Sequence, residues 1–246
     1  MRNIKLTIEY DGKDFNGWQK QPNKLNIQGT IENAIKEITS EDVELNASGR
    51  TDAGVHAFGQ VANFKTNSTI PVEKIPIALN TKLKKSIRIV NAEEVDERFH
   101  SRLSCKRKTY RYVISQGACE SAIYRNLETY IPNYLDVEKM EEAAKYLEGE
   151  HDFKSFRASG TSSKSSVRTI YKADVYKPDN RHIYIELTGN GFLYNMVRII
   201  AGTLVEVGLK KIEPSEIKNI IEQKDRTKAG KTLPARGLYL MKVEYE

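Results

Sequence analysis

Apolar and polar residues alternate through Ile4, Leu6, Ile8 and Tyr10, the period of a half-buried strand, and Asp11-Gly12 follows as a turn. From Ile27 the period changes, and Ile27, Ile31, Ala34, Ile35 and Ile38 share one helical face. Val43 to Leu45 and Gly59 to Phe64 read as strands around a loop from Gly49 to Ala57. A short helix is predicted near Ile75 to Thr81 and a strand at Ile87 to Val90. The order then restarts. Thr109 to Ile114 reads as a strand, and Asp136 is placed to cap a helix with Met140, Ala143, Ala144 and Leu147 on one face and Gly149 at its end. Tyr171 to Tyr176 and His182 to Leu187 read as a hairpin. Leu193, Val197, Ile200, Leu204 and Val207 stripe a longer helix stopped by Gly208. A last helix, Ser215 to Lys224, precedes a terminal strand from Leu238 to Tyr245.

Each half reads strand, helix, strands, helix, strand, the order of a split β-α-β unit, which predicts an α+β or α/β protein of two pseudo-equivalent halves. The lobes are expected over 1–105, carrying the Gly49–Ala57 loop, and 106–246, with the linker near Asp96 to Lys106. One continuous mixed sheet without functional division fits the same periodicity.

Composition narrows the classes. Of 246 residues, 39% are hydrophobic and 29% charged, as in soluble globular domains, and 39 Lys and Arg against 33 Asp and Glu leave a net charge of +6. That excess allows a polyanionic partner without requiring one. No apolar run reaches transmembrane length, and the alternating start has no signal-peptide core. Cys105 and Cys119 are too few for a disulfide scaffold or zinc knuckle, so a reducing, cytoplasmic setting is expected. His56, His100, His151 and His182 have no metal-ligand spacing, and no metal is expected. Gly230-Lys231-Thr232 resembles the end of a phosphate-binding loop, but Asp225 stands where the pattern needs glycine; a solvated basic turn is the plainer reading.

The segment Gly49-Arg50-Thr51-Asp52-Ala53-Gly54-Val55-His56-Ala57 is different. Glycines on both sides of Asp52 permit tight backbone and close ligand approach. In extended chain Arg50 and Asp52 share a face, and the guanidinium would keep the carboxylate ionised, fit to act as nucleophile or transition-state stabiliser. Taken alone, an Arg–Asp pair that merely fixes a loop is the commoner arrangement. In Lys106-Arg107-Lys108-Thr109-Tyr110-Arg111-Tyr112, cations interleave with aromatics, as in strands that stack bases and meet phosphates; a charge-protected edge strand explains it equally well. Arg198 borders an apolar stripe near a helix start, where it wants a carboxylate if buried and needs none if it faces solvent. Trp18, the only Trp, stands in a polar loop and is expected to cap the core.

These residues resemble the tRNA pseudouridine synthase A family. GRTDAGVHA at Gly49 to Ala57 is similar to its signature, and YDGKDFNGWQKQ (Tyr10 to Gln21), IQGTIENAI (Ile27 to Ile35), GQVANFKT (Gly59 to Thr66), KTYRY (Lys108 to Tyr112), HDFKSFRAS (His151 to Ser159), GFLYNMVRIIAGTLVEVG (Gly191 to Gly208) and GLYL (Gly237 to Leu240) follow in family order. The resemblance implies an α+β fold of two ferredoxin- or RRM-like lobes, joined through a central mixed, largely antiparallel sheet, with a cleft between them. It implies isomerisation of a flipped-out uridine to pseudouridine at positions 38, 39 and 40 of the tRNA anticodon arm, without metal or organic cofactor, by a homodimer that no membrane anchors. Asp52 would be the catalytic aspartate, Tyr110 would stack on the target base and assist proton transfer, Arg198 would pair with the aspartate, and Arg50 would help hold the flipped-out site. Asp52 could attack C1′ or abstract the C2′ proton. One departure is Pro234-Ala235-Arg236 before Gly237, where the family usually has an acidic or polar residue. A non-catalytic RNA-binding module on the same scaffold is the alternative, and a hydrolase of the glycosidase kind ranks last, because no second carboxylate stands out.

Overall fold

The computed structural model describes residues 1–160 and 165–246. The chain divides into two compact units: Met1–Lys106 with Tyr239–Glu246, and Arg107–Leu238. Among the described residues, no helix is long and apolar enough to cross a membrane.

In the first unit, the strand predicted at Ile4 to Tyr10 is β1 (Arg2–Tyr10), the Ile27 helix is α1 (Ile27–Thr39), and Gly59 to Phe64 lies within the longer β3 (His56–Thr66). The short helix and the following strand form as α2 (Ile75–Lys82) and β4 (Ile87–Val95). The order is β4-β1-β3-β10, where β10 (Leu238–Glu244) is the terminal strand. β1 runs antiparallel to both neighbours, and Tyr239 and Leu240 of β10 pair in parallel with His56 and Ala57. Asn26 caps α1 by accepting from Gly29 N at 2.8 Å. The apolar face of α1 is buried as its period requires, with Ile27, Ile31 and Ile35 at 1% exposure or less.

Val43 to Leu45 departs from expectation: it is not a strand, and the short β2 (Asn46–Ala47) pairs with β3 just beyond it. The backbone at Leu45 is satisfied by side chains of α1 instead. Its N–H donates to the buried Glu32 carboxylate at 3.1 Å, and its carbonyl accepts from Gln28. Glu32 also accepts from Gln28 and pairs with Lys20 Nζ at 2.9 Å, so this buried charge is fully matched.

In the second unit the order is β5-β9-β8-β7: β5 (Arg107–Ser115), β9 (His182–Gly189), β8 (Val167–Tyr176) and β7 (Gly149–Asp152), every ladder antiparallel. The predicted hairpin is β8–β9. A short parallel pair joins β5 to β6 (Thr129–Tyr130). The class is α+β, with mixed, largely antiparallel pairing. Asp136 caps α3 (Val137–Lys145) by accepting from Lys139 N. Gly149 does not end that helix, which closes at Lys145; at φ +107° the glycine begins β7. The longer helix is α4 (Met196–Gly208), and Leu193 lies in the turn before it, where its carbonyl accepts from Met196 N. α5 (Glu216–Gln223) completes the unit.

The turn at Gly230 is solvated only in part: Lys231 is exposed, but Gly230 is buried. Its N–H donates to the buried Thr203 hydroxyl of α4 at 2.9 Å, and its backbone presses on Gly202. A Cβ on Gly202 would stand 1.9 Å from the Lys231 carbonyl oxygen. Alanine is worth about 1 kcal/mol over glycine inside a helix, yet forcing this contact apart costs about 1–3 kcal/mol. Gly202→Ala is therefore expected to lower the urea midpoint. A midpoint at or above wild type would show that residues 230–233 retreat from the helix without cost.

Candidate active site

Asp52 is half-buried in the loop between β2 and β3. Its carbonyl accepts from Val55 N at 3.2 Å, which closes a turn over Ala53 and Gly54, the latter at φ +78°. The segment between β1 and α1 is pressed against this loop. Trp18, 1% exposed and so part of the core as expected, donates its backbone N–H to the Thr51 carbonyl at 3.0 Å. Two glycines permit the approach. A Cβ on Gly12 would lie 1.9 Å from the Val55 carbonyl oxygen, and one on Gly17, itself at φ +81°, would lie 2.5 Å from that of Thr51 and 3.0 Å from the Asp52 carbonyl carbon.

Three side chains complete the support. The Tyr10 hydroxyl and the Thr51 hydroxyl share a buried hydrogen bond of 2.8 Å. Burial pushes the Tyr10 pKa up to about 12, although hydrogen bonds with Thr51 and Gln60 offset part of the rise. Gln60, wholly buried on β3, accepts from the Ser48 hydroxyl at 2.7 Å and donates to the Gly49 carbonyl at 2.9 Å. At the far end of the loop, His56 accepts from Gly12 N at 3.1 Å and stacks on Tyr239, their ring centres 4.8 Å apart.

Arg50 is exposed and, among the described residues, makes no hydrogen bond or ion pair. The Arg50–Asp52 pair suggested by extended geometry is therefore not formed, because the chain turns at Asp52 instead of running on as a strand.

In the second unit, Tyr110 lies on β5 opposite Leu187 of β9. It is 8% exposed, and Phe192 meets its ring edge-on at 5.1 Å. Tyr112 is wholly buried; its hydroxyl bonds with the Thr129 hydroxyl at 2.6 Å and donates to the Pro234 carbonyl at 2.7 Å. Burial pushes its pKa well up. Arg111, one residue from each tyrosine, turns to the other face, pairs with Glu186 at 2.8 Å and lies 4.6 Å from the centre of the Tyr184 ring. The interleaved strand thus turns Tyr110 and Tyr112 to one face and Arg107 and Arg111 to the other, while Lys108 shares the face of the tyrosines at the start of the strand.

Arg198 stands in the first turn of α4 and is half-buried. Its Nε donates to the Leu233 carbonyl and an Nη to the Asn195 side-chain oxygen, each at 2.7 Å, so it is not a loose residue on a solvated helix face. Arg236 donates to the Glu128 carbonyl at 3.1 Å and reaches Glu120 at 3.6 Å, so its place before Gly237 is a tie to the 120–128 segment.

Sequence reasoning did not single out Tyr10, Gly12, Gly17, Thr51 or Gln60 as supports of the Asp52 loop. Gln60 left a trace, a polar residue at an inward position of an apolar strand. Gly12 and Gly17 left none that names their partner.

A family model for tRNA pseudouridine synthases matches residues 6–103 and 143–246, and the chain belongs to that family of RNA-modifying isomerases, which convert uridine to pseudouridine in tRNA. Its relatives include proteins named tRNA pseudouridine synthase A. That of Caldicellulosiruptor bescii is 54% identical over 245 residues, and that of Caldicellulosiruptor saccharolyticus 55% over 246, each covering 100% of both chains. That of Ruminiclostridium cellulolyticum is 51% identical over 245 residues with the same coverage. Among solved structures, an archaeal box H/ACA sRNP Nop10–Cbf5 complex overlaps with a TM-score of 0.38 and 10% identity, over 91% of this chain and 59% of that chain, too loose a likeness to bear on the fold.

The Tyr10 support makes a pH prediction. A hydroxyl whose folded pKa lies near 12, against about 10 unfolded, stabilises the protein fully below pH 10 and loses that contribution as pH rises through 12. A shift of about two units corresponds to about 2–3 kcal/mol. Tyr10→Phe, which removes the titration, should flatten the fall of stability between pH 10 and 12 in urea melts at stepped pH. An unchanged slope would show that Tyr10 does not carry it.

Proposed function

We propose that this chain isomerises uridine to pseudouridine at positions 38, 39 and 40 of the tRNA anticodon arm, acting as a cytoplasmic homodimer. Asp52 is its catalytic residue, and Tyr110, Arg50 and Arg198 bind the substrate; residues 1–105 form the lobe that carries the aspartate, and 106–246 the other. The observation that carries this reading is the care with which one carboxylate is presented. Peptide groups on both sides of Asp52 are held by backbone contact at Gly12 and Gly17, by Tyr10 and by Gln60, while its side chain stands on a half-buried turn.

The chemistry suits that arrangement. The target uridine leaves the stack so that its glycosidic bond can be reached. The N1–C1′ bond breaks, the base turns, C5 bonds to C1′, and the C5 proton departs while N1 gains one. Substrate and product are isomers, so the reaction needs no redox partner or co-substrate. An ionised Asp52 begins it as a nucleophile at C1′ or as a base at C2′. The net charge of +6 favours contacts to phosphates, which position an RNA without reading its sequence and suit a substrate of three neighbouring positions.

Tritium release from tRNA labelled at uridine C5 tests the reading. Wild type should release tritium, and Asp52→Ala should fall by about 10²–10⁴-fold or more while still binding tRNA. Comparable release by the variant, or none by wild type despite binding, would leave an RNA-binding module. Deuterium at C2′ should slow the reaction if Asp52 acts there and leave the rate unchanged if it attacks C1′. Tyr110→Phe keeps the ring against Phe192, so it should lower turnover more than affinity; unchanged turnover would remove the hydroxyl from proton transfer.

A further inference from the structure

Arg157 lies within the segment HDFKSFRAS and has no part in the proposed reaction. Arg157 follows the short helical turn Phe153–Phe156 and is half-buried. Among the described residues its guanidinium makes no hydrogen bond, ion pair or ring contact. A guanidinium has five fixed donors, and leaving them unused in a partly desolvated position is unfavourable unless an anion arrives.

Its surroundings increase that demand. The next residue, Ala158, donates its N–H to the Tyr194 carbonyl at 3.2 Å, which fixes Arg157 beside the Gly191–Tyr194 turn. Arg168, on β8, reaches the same turn: a Cβ on Gly191 would lie 3.6 Å from its Nε. Arg168 donates to the Ser165 carbonyl at 3.1 Å and to that of Val167, which orients its fork. Burial pushes the Arg168 pKa down, and the positive charge of Arg157 adds to the fall. The same turn carries two aromatic residues. Phe192, in that turn, meets Tyr110 edge-on, and Tyr194 is 44% exposed.

We propose that Arg157 and Arg168 form a binding site for a backbone phosphate of the RNA substrate, with Tyr194 presenting its exposed ring to a neighbouring base. Two adjacent guanidiniums match the planar, bidentate geometry of a phosphodiester, and cations beside aromatic rings are the elements of nucleotide binding. An acidic protein surface would use the cations but not the ring. The proposal rests on the substrate being tRNA, but its test is read from binding alone.

The experiment measures tRNA affinity from 50 to 300 mM salt for wild type, Arg157→Gln, Arg157→Lys and Lys211→Gln. Lys211 is an exposed residue after α4 and controls for the loss of one charge. Arg157→Gln should weaken binding about five- to tenfold near 150 mM salt and reduce the slope of log affinity on log salt by about 0.7–0.9, one phosphate contact. Arg157→Lys should recover part of both, and Lys211→Gln should change neither as much. The melting temperature of Arg157→Gln should match wild type, because no partner among the described residues is lost. Wild-type affinity and slope in Arg157→Gln, or equal losses from Lys211→Gln, would overturn the site. Tritium release in parallel keeps the two readings apart: a changed slope without turnover upholds the phosphate site and refutes the catalytic reading, and turnover with an unchanged slope does the reverse.

Discussion

Contact of backbone against backbone is the constraint on which the Asp52 loop depends. Gly12 and Gly17 stand where any Cβ would collide with carbonyl groups between Thr51 and Val55. Protein interiors are packed too densely for such a collision to be absorbed locally, so a side chain at either place would move the loop. The consequence reaches the chemistry directly. Asp52 is positioned through its peptide groups, which sets where its side chain leaves the backbone. A loop held by long side chains would fluctuate with their rotamers, whereas one held by peptide groups against peptide groups has little freedom left.

The second unit repeats the device around α4. Gly202 and Gly230 let the 230–233 segment lie on the helix, and the Thr203 hydroxyl satisfies the Gly230 N–H that this contact buries. The segment in turn supplies the Leu233 carbonyl that accepts from Arg198. Arg198 is thus set by a chain segment 35 residues away in sequence. Tyr112 ties the same stretch from the sheet side through the Pro234 carbonyl.

Charge is sorted with equal economy. Most cations that lie among aromatic or acidic neighbours are already engaged, as Arg111 is by Glu186 and Tyr184, and they add little to the attraction of a polyanion. Arg50 and Arg157 are exceptions, since neither has a protein partner among the described residues.

Period and punctuation in the sequence determined most of the elements. β1, α1, α3, the β8–β9 hairpin, α4 and β10 follow from alternation, from helical stripes and from a capping aspartate or bounding glycine, because those signals are local and each element must bury one face. The Asp52 motif was equally legible as a compact run of residues around one carboxylate. Tertiary structure decided the rest. It took Leu45 out of a ladder and gave its backbone to Glu32 and Gln28, and it turned the chain at Asp52 so that Arg50 stands apart. It also buried Gly230 within a turn whose Lys231 stays exposed, and it brought Arg157 and Arg168 to one turn. Each of these outcomes depends on groups far apart in the chain, Gly12 with Val55 or Gly202 with Lys231, and contacts of that kind leave no periodic trace in the order of residues.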